Sequence, residues 1–293
     1  MEEDPLSSSP DFARERRRFL QRLAALAAAG PALLQTARAA RVNPPAMFAV
    51  EAGHYRFVPA GQVFCSGVRP DEGFEVVHAI LRTRLRLSDG YAFVESHLRK
   101  LGLPIQALCG MELRVPAAMT FDAFREFNAP YVAQLDKWEL INGRYSAVCR
   151  TNVAPASNAP REAALHAFSY VAPASANSST FCVSGTADID ARGKIVAAGD
   201  TSVSGMRDKL KYVIDIITTR LAELELEWTD VTSVDLYAVA DISDLWATMI
   251  LPALGTAAQA GVRLHHARPP IIGSEVELEA RGIAQELTLS TAT

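Results

Sequence analysis

The chain has 293 residues, of which 49% are hydrophobic and 21% charged, enough apolar material for a packed core and too much for a disordered chain. With 29 Lys and Arg against 33 Asp and Glu, the net charge of −4 argues against a nucleic-acid partner, because phosphate neutralisation needs clustered positive charge. The four cysteines, Cys65, Cys109, Cys149 and Cys182, include no CxxC pair, which argues against a disulfide scaffold and against a cysteine-type zinc site.

Residues 1–40 differ from the rest. Arg14, Arg16, Arg17 and Arg18 precede Phe19-Leu20, and no charge occurs from Leu23 to Ala37. Ala37-Arg38-Ala39 has the A-x-A form that signal peptidase accepts. The uncharged stretch is shorter than the ~20 apolar residues of a transmembrane helix. The pattern resembles a twin-arginine signal with Arg16-Arg17 as the pair, although Glu15 and Gln21 depart from the preferred residues. It predicts cleavage near Ala39, a periplasmic protein and no membrane partner after processing. If the signal is not used, the protein is cytoplasmic. The competing reading is a basic amphipathic helix packed on the domain.

The remainder reads as one unit used twice, residues 41–172 and 173–293. In the first copy, Val63-Phe64-Cys65-Ser66-Gly67 is an apolar run ending in glycine. Residues 90–101 form a first helix, and Met111, Leu113 and Val115 alternate along a strand. Residues 120–136 form a second helix with Thr120 as N-cap, and Cys149-Arg150 follows. The second copy repeats this order at an offset of about 117 residues. Phe181-Cys182-Val183-Ser184-Gly185 and Lys194-Ile195-Val196 flank a charged turn and signal a hairpin. Met206, Leu210, Val213, Ile217, Leu221 and Leu224 make one helical stripe. Val234, Leu236 and Ala238 alternate along a strand, and residues 243–260 make a second helix. Val262-Arg263-Leu264 and Val276-Glu277-Leu278-Glu279 close the unit around Pro269-Pro270. The small, polar stretch 172–179 suits the join.

Val183-Ser184-Gly185, Gly193-Lys194-Ile195-Val196, Gly199-Asp200, the long helix, Asp230-Val231, Ala267-Arg268-Pro269 and Val276-Glu277-Leu278-Glu279-Ala280, in that order, resemble the RidA/YjgF family of reactive-intermediate (enamine/imine) deaminases. The likeness is clear over 168–288 and weak over 50–170. It implies an α+β fold of two tandem RidA/YjgF-like (chorismate-mutase-like) β-β-α-β-α-β domains, assembling as a homotrimer around a β-barrel core with sites in clefts between domains. By the same resemblance Arg268 grips a substrate carboxylate, Glu277 positions the attacking water and Tyr170 lines the cleft. Arg150, Ser184 and Gly185 are the further binding candidates. The implied substrate is a small carboxylate-bearing enamine or imine, 2-aminoacrylate-like or aminomuconate-like, and no cofactor or metal is implied. A planar guanidinium suits a carboxylate, and imine hydrolysis needs water, a carboxylate and a donor to nitrogen. No P-loop, GxGxxG or HExxH occurs.

Two departures stand out. The loop from Arg268 to Glu277 is shorter than usual in the family. In the first copy, Ala164-Leu165-His166 has no glutamate at the water-positioning place, so that site reads as altered, with His166 as a candidate substitute base. Val183-Ser184-Gly185-Thr186-Ala187 also gives a weaker similarity to chorismatases, and a non-catalytic small-molecule-binding RidA homologue is the third alternative.

Overall fold

The computed structural model describes residues 46–174 and 179–291; the signal read in residues 1–40 lies outside them. Strands β1 (Phe48–Val50), β2 (Tyr55–Val58) and β3 (Gly67–Pro70) pair antiparallel in sequence. β4 (Phe74–Arg86) runs directly into helix α1 (Leu87–Lys100). That helix buries Gly90, Val94 and Leu98 at four-residue spacing, one stripe turned to the sheet. Only glycine fits at position 90, because a Cβ there would stand 2.7 Å from that of Leu165.

β5 (Leu108–Arg114) leads to α2 (Phe121–Lys137). The expected cap is present: Thr120 Oγ1 accepts a hydrogen bond from the Ala123 N–H at 3.2 Å, a contact typically worth ~1 kcal/mol. The short hairpin β6 (Ile141–Asn142) and β7 (Tyr145–Ser146) precedes β8 (Cys149–Pro155) and β9 (Ala164–Pro173).

In the second half come β10 (Phe181–Val183), β11 (Thr186–Ala187) and α3 (Val203–Glu223). α3 is capped by Ser202 and buries the predicted stripe from Met206 to Leu221. After β12 (Ser233–Ala238), residues 243–260 do not form the single helix expected from their pattern. They make a 3-10 turn, a π-turn over Trp246–Ile250, one α-turn over Leu251–Leu254 and a final 3-10 stretch. Pro252 has no N–H to give the preceding turn, and Gly255 at φ 55° ends the α segment. β13 (Val262–His265), β14 (Ala267–Arg268), β15 (Val276–Gly282) and β16 (Gln285–Leu289) complete the chain.

Among the described residues the strands form two main sheets. One has the order β1-β2-β3-β10-β15-β12-β13, with β11 on β15; the other has β14-β8-β5-β9-β4-β16. Four strands of each correspond. β4·β9·β5·β8 and β10·β15·β12·β13 both run antiparallel, antiparallel, parallel. The halves also exchange strands. β3 pairs with β10, the C-terminal β16 lies parallel on β4, and β14 lies on β8.

α1 and α2 cover one sheet with an apolar cluster that includes Val94, Leu98, Tyr131 and Leu135. α3 covers the other with Met206, Leu210, Val213 and Ile217. Between the sheets lies a charged layer. Arg281 reaches Glu112 at 3.1 Å, Asp235 at 2.5 Å and Glu279. Arg114 donates to Glu112 at 3.2 Å and to the Tyr237 hydroxyl at 3.4 Å. Buried ions of this kind are tolerated only when paired, and removing one partner of such a pair costs about 3–5 kcal/mol.

Candidate active site

The site forms where the outer edge of β8 meets the second half. β8 is bonded to β5 along one side and to β14 only at its end, through Ala154 and Pro155. Its edge at Arg150–Asn152 is filled instead by the turn after β10. The Arg150 N–H donates to Ser184 Oγ at 3.0 Å, and the Gly185 N–H donates to the Arg150 carbonyl at 3.1 Å. Ser184 Oγ in turn donates to the Cys65 carbonyl at 2.6 Å. Ser184, through its hydroxyl, and Gly185, through its backbone N–H, thus tie this turn to the edge of β8.

Glu277 completes this corner from β15. Its Oε1 accepts a hydrogen bond from the Asn152 N–H at 3.3 Å. A Cβ on Gly185 would stand 2.7 Å from that oxygen and from Thr151 Oγ1, so the close approach requires glycine. Glu277 is only 4% exposed. Burial pushes its carboxyl up to about 8, against the opposing pull of the Asn152 bond, Arg114, Arg150 and Arg220. Two positions along the strand, Glu279 is also held well above the carboxylate range, by burial and then by Glu112.

Arg150 is 4% exposed. Its Nη1 donates to Asn128 Oδ1 at 2.6 Å, and its guanidinium lies 4.7 Å from the Tyr131 ring and 5.5 and 5.7 Å from those of Phe124 and Phe127. α2 therefore builds an aromatic and amide cradle for this cation. Burial lowers its basicity, and Glu277 and the nearby tyrosines oppose that.

Arg268 pairs with Ala154 across β14 and β8, which puts its side chain on the β8 face that also carries Arg150 and Asn152. It is 43% exposed, with Nη2 3.8 Å from Glu275 Oε2. Tyr170 is elsewhere. Its ring lies 5.4 Å from His97 of α1 and 5.9 Å from Phe168, on the helix-facing side of β9. The structure thus brings Glu277, Arg150, Ser184 and Gly185 together, sets Arg268 further along the same strand face, and does not bring Tyr170 to this corner. His166, half-buried on β9, is pushed down to about 4 by burial and then by Arg114.

Three neighbours escaped the sequence reading. Arg220 of α3 donates to the Ser184 carbonyl at 2.6 Å and to that of Gly185 at 3.1 Å. It flanks the Ile217–Leu221 stripe, and a lone arginine there was the available signal. Thr151 accepts from the Gly185 N–H at 3.2 Å. Among the described residues, neither amide atom of Asn152 has a partner. The four cysteines are free and buried, and Cys65 and Cys149 lie beneath this corner with their sulfurs 3.6 Å apart.

The profile of the family described as 2-aminomuconate deaminase CnbZ matches residues 47–287. A 2-amino-5-chloromuconate deaminase from Comamonas testosteroni is 35% identical over 246 residues, 81% of this chain and 96% of the relative. The chain belongs to the CnbZ family. The CnbZ match spans both sheets and every site residue named above. Among solved structures, a chorismatase is similar at a TM-score of 0.41 and 16% identity, covering 74% of this chain and 77% of its own. The Rid-family protein YyfB from Yersinia pestis is similar at 0.29 and 18% identity, covering 39% and 83%.

Proposed function

We propose that this CnbZ-family protein is a hydrolytic deaminase of an aminomuconate-like acid, taken as its enamine or imine. The observation that carries this is Glu277, a buried carboxylate held at about 8 at a junction of the two halves, with arginines on the adjoining strand face. A muconate-type acid has a carboxylate at each end, and Arg150 and Arg268 lie on one face of the same strand pair. Charge-assisted, planar pairing suits both carboxylates.

The chemistry then needs one proton carrier. Ionised Glu277 takes a proton from water as the water oxygen bonds to the imine carbon. The protonated form passes that proton on to nitrogen, giving a carbinolamine; Glu277 then takes the hydroxyl proton and hands it to the same nitrogen as the C–N bond breaks, the carbonyl forms and ammonia leaves. A carboxyl that titrates near the working pH serves both steps. Arg220 and Thr151 hold the Ser184-Gly185 turn against Glu277 and so act as positioning residues. Family membership and the relative's substrate support the reading.

The test is ammonia release from 2-aminomuconate, run beside 2-aminoacrylate and chorismate. Ammonia and the matching 2-oxo acid in equal amounts are expected from the first. Turnover of chorismate alone would move the protein to the chorismatase-like alternative. Binding without turnover of any of the three would move it to the non-catalytic one.

A further inference from the structure

Asn152 is only 4% exposed, yet among the described residues neither its Oδ1 nor its Nδ2 has a hydrogen-bond partner. Buried side-chain amides are nearly always partnered, and an exception calls for an explanation. Its surroundings share the property. Nη2 of Arg150, two residues earlier on the same strand face, is unpartnered among the described residues, and so is the hydroxyl of Tyr131, whose buried ring lies against the Arg150 guanidinium. An acceptor, an amide donor and a cationic donor therefore lie two residues apart on one face of β8. The backbone N–H of Asn152 is the group that holds Glu277 Oε1. The roof over this patch is thin, since Phe124 and Phe127 are themselves only half-buried.

We propose that Asn152 reads the amino nitrogen of the substrate: its Oδ1 accepts the substrate N–H, while Nη2 of Arg150 donates to the neighbouring carboxylate. This rests on the deaminase reading given above. In a 2-amino-acid skeleton the nitrogen and the carboxylate sit on adjacent carbons, and Arg150 and Asn152 project side by side from alternate positions of one strand. The same residue then carries both ends of the reaction geometry, with its side chain on nitrogen and its main chain on the carboxylate that handles water. Entry requires the Phe124 and Phe127 rings to move aside. A neutral amide is the fitting group, because a second carboxylate beside Glu277 would repel the substrate's own.

The experiment uses the full chain with Asn152→Val, and Asn152→Ala should the first fail to fold. A thermal melt, ammonia release from 2-aminomuconate and calorimetric binding of unsubstituted muconate are read together. The expected result is a melting temperature unchanged or raised, because an unpartnered polar group has been removed. kcat/KM for the amino substrate falls by about tenfold or more, roughly 1.4 kcal/mol. Muconate has no N–H to lose, so its affinity stays within about twofold, a shift under roughly 0.4 kcal/mol. Unchanged kcat/KM, or an equal loss of muconate binding, would overturn the role of Asn152. A wild-type protein that releases no ammonia from 2-aminomuconate would instead overturn the deaminase reading, and this inference with it.

Discussion

Glu277 Oε1 accepts a hydrogen bond from the backbone N–H of Asn152 at 3.3 Å, so a carboxylate from one half of the chain rests on a strand edge of the other. The candidate site draws residues from both halves. Its geometry depends on Ser184-Gly185 filling the edge of β8 and on glycine letting Glu277 approach.

Glu277→Gln is expected to lower kcat by about 10²–10⁴-fold with little change in KM, the usual size of a lost acid–base group. Stability gives a second readout. Burial raises the Glu277 carboxyl from 4.5 to about 8, so the folded protein keeps a proton that the unfolded chain has lost. Its contribution is intact below about pH 4.5 and is lost as pH rises toward about 8, by at most roughly 1.4 kcal/mol per pH unit. The glutamine variant has no such proton. Its melting temperature should therefore gain on the wild type between pH 5 and pH 9, and a constant difference would contradict the neutral form of Glu277.

Arg268→Ala should leave the melting temperature nearly unchanged. The side chain is 43% exposed and its pair with Glu275 is 3.8 Å long, a contact worth ~0–1 kcal/mol. kcat/KM should nevertheless fall roughly 10- to 100-fold, the cost of one charge-assisted contact to a carboxylate. Wild-type kinetics in this variant would remove Arg268 from the anion site.

Gly185→Ala places a methyl 2.7 Å from Glu277 Oε1 and from Thr151 Oγ1. Overpacking of this kind costs about 1–3 kcal/mol, and the relief available is to push Glu277 off the Asn152 N–H. Denaturant melts and steady-state kinetics should show a modest loss of stability with a larger loss of kcat.

Lys209 and Asp188 form a fully buried pair at 2.9 Å. Asp188 also accepts from Ser274 Oγ and from the Glu275 N–H, which ties the loop after Arg268 to α3. Lys209→Met leaves that carboxylate unpaired at a cost of about 3–5 kcal/mol. A fall in melting temperature of more than about 6 °C is expected by calorimetry. A smaller fall would mean that the Ser274 hydroxyl and the backbone donors suffice to hold Asp188.

The trimer implied by the RidA resemblance predicts a mass near three chains in light scattering. The parallel strand β13 is the end of its sheet and holds Leu264 at 50% exposure, an edge that further assembly would protect. A stable monomer at micromolar concentration would exclude it.

Periodicity and end signals determined much of this protein. The stripe of α3, the Thr120 cap, the alternating β5 and β12, and the Arg268 and Glu277 pattern are all local, set by side chains a few residues apart. Tertiary structure decided what those patterns face. Asp235, Glu277, Glu279 and Arg281 alternate with apolar residues as a solvated strand face would, yet all are buried at 2–4% exposure because a second sheet with Glu112 and Arg114 closes over them. Pairing of β16 with β4 and of β3 with β10 joins residues more than one hundred positions apart, and no local pattern encodes a strand's partner. Asn152 and Arg220 are hidden for the same reason. Their polarity is ordinary in sequence and becomes informative only once the fold has buried Asn152 without a partner and turned Arg220 onto the Ser184-Gly185 carbonyls.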